Sequence, residues 1–349
     1  MKINLKKEMF GDREFLLAQH GAMRAVAFRY STGVEALRIE NTQGGFVILP
    51  FQGQQIWRAN FAGRDLVMKT TIQEPVPDVP YLQTYGGFLY HCGIGSIGDP
   101  DASHPHHGEI PNIAYNTAYL LGGEDENGRY MAVGGILDYD IAFVKKYRFQ
   151  PECRLYEDGT VLKIHVEIEN KRNSPLEYAY LCHINFAPIG GARLLYNAKL
   201  AKVHKIVPDG LRAEHKAALS GYMDTLERDP SVGDTVGAPG QCYDPEICCT
   251  MLYEGERGYT MQYVENEGAC YVSHPTAELP YAIRWISRTD SEASMGMVLP
   301  STCEHLGYDY AKANGQMKLL PPKGTLCFDI EAGWLNLAQA DEVKKKIGK

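Results

Sequence analysis

The sequence lacks any run of about 18 consecutive apolar residues, so no membrane-spanning helix is expected. It also lacks a long basic stretch: the terminal "KKKIGK" reads as the end of a solvated helix. With 35 Lys and Arg against 43 Asp and Glu, the formal net charge is −8, which makes nucleic acid and anionic membranes poor partners. No C-x-x-C pair occurs. The nine cysteines are odd in number and irregularly spaced, which suits free, buried thiols in a reducing compartment better than a disulfide framework. The opening "MKINLKKEMFGDREFLL" is charged and has no apolar core of the kind a secretory leader needs. Together these features lead to an expected cytoplasmic location.

Amphipathic helices are scarce too. The best candidates are the short "YDYAKANGQ" and the C-terminal "LAQADEVKKKI". Strand signals fill the space instead. In "TVLKIHVEIEN", Leu162, Ile164, Val166 and Ile168 alternate with Lys163, His165, Glu167 and Glu169, the pattern of a half-buried strand. "LEYAYLCHINF" is apolar on both faces and reads as a more central strand. "ICCTMLYEG", "YTMQYVEN", "ACYVSH" and "YAIRWISR" continue the rhythm, separated by turn clusters such as "EGERG" and "ENEG". The fold class expected from this is all-β, with large antiparallel sheets packed as a sandwich. Residues 1–20 read as an N-terminal appendage and 21–349 as one large domain. The polar, Gly/Pro-rich stretch 227–246 is long enough to be a functional loop.

Candidate chemistry starts at "HPHHGEIPN", His104 to Asn112. His104, His106, His107 and Glu109 could hold zinc or manganese in a cupin-like site. The spacing departs from the cupin pattern, no second motif follows, and Pro105 and Pro111 indicate a loop rather than a strand. Sugar chemistry offers a different use of such residues. Interconverting the anomers of an aldose needs a base at the anomeric hydroxyl and an acid at the ring oxygen, and a carboxylate with a histidine suits that near neutral pH. His183, in "LCHINFAP", shares a strand face with Ala179, Leu181 and Asn185. Cys182 beside it points to the opposite face, so a Cys–His nucleophile is not expected.

"ENKRNSPLEYAYLCHINF" resembles a segment of galactose mutarotase-like enzymes, through Asn170, Asn173, Pro175, His183, Asn185 and Phe186. A closer resemblance is to the aldose 1-epimerase-like family DUF4432. "YGGFLYHCGIGSIGDP", "HHGEIPNIAY", "CHINFAPIGGARL", "DPEIC" and "GMVLPSTCEHLGYDYAKANGQ" follow that family's order of motifs over about residues 45 to 332. The resemblance implies a galactose mutarotase-like supersandwich, a monosaccharide or sugar derivative as partner, and no metal or organic cofactor. A homodimer is left open. The implied activity is an aldose 1-epimerase (mutarotase)-like isomerisation, in which His183 is the acid and His107 an orienting group or second acid/base. Asp244 and Glu246 fall where a carboxylate would bind sugar hydroxyls. Arg58, in "QQIWRANF", is a candidate hydroxyl-binding cation, and Trp285 a candidate stacking surface.

Two departures stand out. Glu109 occupies the place of the family's arginine, an acceptor where a donor is expected. Leu299 occupies the place of the expected catalytic glutamate. That leaves Glu304 as the candidate base, with Glu109 and Glu246 as alternatives. The competing readings are a sugar-binding protein without catalysis and a metal-dependent, cupin-like sugar isomerase.

Overall fold

A computed structural model describes residues 1–348. Two antiparallel sheets, one of nine strands and one of thirteen, share a continuous apolar core. The half-buried strand Val161–Asn170 lies in the nine-stranded sheet, between Lys145–Tyr156 and Thr325–Asn336. Its side chains alternate between intermediate and buried along the whole length, as the period of two requires. Leu162, Ile164, Val166 and Ile168 point into the core.

The expected central strand, Leu176–Ile184, lies inside the thirteen-stranded sheet, against Leu89–Ile94 and Ala293–Ser301. Both its faces are covered, which explains its apolar composition. Tyr180 packs on Phe149 and Phe328 of the smaller sheet. Leu181 and His183 project from the opposite face and line a cavity under loops. The core therefore sits on one side of this strand and the candidate site on the other.

Both sequence-predicted helices form, as Gly307–Ala313 and Leu337–Ile347. The second starts with a capping box: the Asn336 side chain accepts from Gln339 N, and the Gln339 side chain accepts from Asn336 N. Its Ala340, Val343 and Ile347 cover Leu195, Met261, Tyr263 and Leu335 on the outer face of the nine-stranded sheet. A third helix, Ala213–Arg228, was not expected. It buries Leu219, Tyr222, Met223 and Leu226, a spacing of three and four that gives one apolar stripe.

The N-terminal residues are a correction. They are no appendage, because Lys2–Leu5 pairs with Thr117–Asp125 at the edge of the nine-stranded sheet. Phe15–His20 pairs with Met23–Arg29 at the edge of the other. Their weak apolar pattern is that of edge strands, which bury little and take their order from backbone pairing.

Candidate functional site

The cavity has a volume of about 200 Å³. Its floor is a row of neighbouring strands in the thirteen-stranded sheet. Ala198–His204, Ile247–Tyr253, Tyr281–Arg288, Ala293–Ser301 and Leu176–Ile184 follow one another in that order. Cross-strand register lines up His204 with Cys248 and Cys248 with Trp285. Directly paired residues share a face, so these three project together. Loops carrying Tyr81, Tyr85, Asp99, His106, His107 and His305 form the walls.

His107 is held in the left-handed region, at φ 60. A non-glycine residue rarely adopts that conformation, and such outliers concentrate where a side chain must be aimed. Gly108 follows at φ 80, and a Cβ there would collide with the carbonyl oxygens of Gly93 and Ser96. The "HHG" sequence is therefore a tight turn that only glycine completes. Glu109 then staples the loop. Its Oε2 accepts from Gly95 N at 3.0 Å and its Oε1 from the Tyr147 hydroxyl at 2.9 Å. Lys145 Nζ stands 3.5 Å away.

The two principal histidines carry complementary protons. The backbone N–H of Gly98 donates to His107 Nδ1 at 3.2 Å. An N–H only donates, so Nδ1 holds a lone pair and the neutral ring carries its proton on Nε2. His183 is the reverse. Asn185 Nδ2 donates to Gly87 O, which turns Asn185 Oδ1 toward His183 Nδ1 at 2.9 Å. Nδ1 must then be protonated, leaving the lone pair on Nε2. Tyr85 also donates to Asn185 Oδ1, at 2.8 Å. The ring centroids of His107 and His183 lie 5.3 Å apart at 87°.

Burial keeps both imidazoles neutral. It pushes His183 down to about 3, with the Asn185 hydrogen bond acting weakly against it. His107 is lowered well below its ordinary value, first by burial and then by the neighbouring histidines His183 and His106. Cys248, on the floor, is raised by burial, so it remains a thiol.

The sequence-predicted residues divide. His107, His183, Glu246 and Trp285 line one cavity, together with His106. Glu246 Oε2 accepts from Trp285 Nε1 at 2.6 Å, and the indole packs on His183 at 5.2 Å between centroids. Leu299 lines the cavity as well. Four expected residues lie elsewhere. Arg58 donates to the carbonyls of Trp57, Gly86 and Gln73 and lies over the Trp57 ring. Its fork is spent on loop backbone. Asp244 precedes the cis bond to Pro245 and stands by His215, facing a separate cleft with Arg288. Glu109 serves the loop. Glu304 is buried behind the wall, where Thr250, Tyr310 and Gln316 donate to it.

His204, His305, Tyr85 and Asp99 were missed. His305 follows Glu304 directly and His204 ends a strand; neither carries a local motif. The cupin-like set is not assembled. His104 pairs with Asp101 and stacks on Tyr308, while His106 turns to the cavity. Among the described residues, the group of three close enough to share an ion is His165, Glu167 and Cys327. It lies across the Val161–Asn170 and Thr325–Asn336 strands, away from the cavity.

A protein-family model, DUF4432, described as a domain of unknown function, matches residues 31–333. No curated protein matches. Among solved structures, a protein from Klebsiella pneumoniae subsp. pneumoniae MGH 78578, provisionally assigned as an aldose 1-epimerase, superposes with a TM-score of 0.77 at 14% identity. That alignment covers 100% of this chain and 91% of the other. A galactose mutarotase-like protein from Clostridium acetobutylicum gives a TM-score of 0.58 at 12% identity, covering 91% and 100%. At such identities the likeness is one of fold: the two sheets form a galactose mutarotase-like sandwich.

Proposed function

The chain belongs to the DUF4432 family, and from that membership and the histidine cavity we propose that it binds a monosaccharide and interconverts its anomers by ring opening. The observation that carries this reading is the pair of oppositely protonated imidazoles, His107 and His183, on one cavity. Such a pair offers a sugar one N–H donor and one lone pair without any net charge.

The lone pair on Nε2 makes His183 a proton acceptor in the resting protein, where the resemblance implied an acid. The anomeric hydroxyl gives its proton to Nε2, and the resulting imidazolium passes it to the ring oxygen as the C1–O bond breaks. Rotation about C1–C2 exposes the other carbonyl face, and the steps reverse. One histidine can serve both oxygens because both are attached to C1. The imidazolium is transient, and the Asn185 hydrogen bond to Nδ1 favours it. His107 Nε2–H holds a sugar oxygen in place. Trp285, steadied by Glu246, offers its ring as a stacking surface.

Leu299 on the cavity wall supports a second reading, sugar binding without catalysis. NMR saturation transfer between anomers, over a panel of neutral aldoses, separates the two. Exchange above buffer is expected for at least one sugar. It should fall on the order of 100-fold in His183→Gln, the scale of a lost acid–base group, with binding retained. Binding without exchange by the unaltered protein would leave the second reading standing alone.

A further inference from the structure

The outer face of the nine-stranded sheet carries side chains that the sugar chemistry does not use. His165 and Glu167 alternate with buried residues along Val161–Asn170, so both point away from the core. Cys327 and Asp329 do the same on Thr325–Asn336. Register pairs His165 with Asp329 and Glu167 with Cys327. Directly paired residues share a face, so the four form a square across two neighbouring strands. The apolar core of the sandwich separates this square from the histidine cavity.

One ligand atom each from His165, Glu167 and Cys327 lies within 4.8 Å of the other two. Cys327 Sγ stands 3.9 Å from Glu167 Oε2. Around a tetrahedral zinc, with bonds of about 2.0 to 2.3 Å, neighbouring ligand atoms are roughly 3.5 Å apart. Closing the gap takes shifts of ~1 Å, which side-chain torsions at a solvent-facing surface allow.

The supporting contacts leave the right atoms open. Asp329 Oδ1 stands 2.8 Å from His165 Nδ1. A carboxylate accepts, so Nδ1 carries the proton and the lone pair of the neutral ring is on Nε2. Gln150 Nε2 donates to Glu167 Oε1 at 2.6 Å, which leaves Oε2 beside the thiol. Outer partners of this kind orient the imidazole and carboxylate ligands of a metal. Among the described residues Cys327 is also the one exposed cysteine; Cys242 is half-buried and the others are buried.

We propose that His165, Glu167 and Cys327 form a zinc site on the outer face of the nine-stranded sheet, oriented by Asp329 and Gln150. A donor set of one nitrogen, one oxygen and one sulfur suits a borderline-soft cation, whereas calcium and magnesium take oxygen. On binding, the Cys327 thiol gives its proton to solvent and a Zn–S bond forms. The thiolate and the Glu167 carboxylate then balance the two charges of the ion. The fourth position is open to water. The ion joins two strands that are distant along the chain, and because it binds the folded form it stabilises that form. The inference is independent of the anomer-exchange reading.

The test titrates reduced, metal-free protein with Co²⁺ as a spectroscopic substitute, and then with Zn²⁺. Co²⁺ should give a sulfur-to-metal charge-transfer band that saturates at an equimolar amount and disappears as Zn²⁺ displaces it. Zn²⁺ should also raise the urea midpoint. Cys327→Ser and His165→Ala should lose both the band and the zinc-dependent shift, and Cys242→Ser should keep both. Asp329→Asn should weaken binding by about 10-fold to 100-fold, the scale of an outer partner to a metal-binding histidine. Because these side chains face solvent, all variants should match the unaltered protein's urea midpoint in the presence of chelator. Absence of the band, a band that persists in Cys327→Ser, or saturation only at millimolar metal overturns the site.

Discussion

His107 shows how much one backbone angle carries. Its left-handed φ and the glycine after it bring Nδ1 to the Gly98 amide, and that contact decides which nitrogen donates into the cavity. Gly108→Ala places a Cβ against two carbonyl oxygens at a positive φ, so the turn must shift. We expect a loss of about 2 kcal/mol in stability, read by urea titration, together with weakened sugar binding. An unchanged affinity would show that the turn does not aim His107. The loop around His107 was legible from Pro105 and Pro111, and the family resemblance singled out His107 within it. Glu109 was legible only as an anomaly, since its partners Gly95 and Tyr147 come from distant segments.

At the scale of elements, three floor strands, Leu176–Ile184, Ile247–Tyr253 and Tyr281–Arg288, were legible in the sequence and Ala198–His204 and Ala293–Ser301 were not, and the site follows from their order. Register sets His204, Cys248 and Trp285 abreast, although they are separated by long stretches of chain. The edges are less well marked. Lys2–Leu5 was not legible as a strand because it buries only Leu5, yet it caps the edge of Thr117–Asp125. Removing residues 1–5 should leave that edge's N–H and C=O groups unpaired. The expected result is a lower melting temperature and concentration-dependent aggregation, measured by light scattering. A truncated protein that does not aggregate and has an unchanged transition would return the segment to the status of an appendage. The Ala213–Arg228 helix was missed for the opposite reason: its apolar stripe of four residues is clean but short, set among charged neighbours.

For the whole molecule, the sandwich has a consequence for acid stability. His91, His183 and His274 are each pushed down to about 3 by burial. In the unfolded chain they titrate near 6.5. Between those values the unfolded state binds more protons, so stability falls as the pH drops below about 6.5 and continues to fall toward about 3. Each group contributes a slope of about 1.4 kcal/mol per pH unit in that window. Urea midpoints measured from pH 7 to pH 5 should therefore decline steadily. A flat profile would mean that these rings are not held neutral.

The sequence by itself determined the all-β class, the two faces of Val161–Asn170, the central character of Leu176–Ile184 and the loop around His107. All of these rest on residue periods, proline placement and residues close along the chain. Only the tertiary structure decided which polar groups meet. It sent Arg58, Glu109 and Asp244 to other tasks, brought His204 and His305 into the cavity, and set Glu304 behind Thr250 rather than on the wall. It also set the His183 proton on Nδ1, because a proton's place on an imidazole is fixed by the partners of its nitrogens. The deciding partner is Asn185 Oδ1, turned by Gly87 from across the sheet.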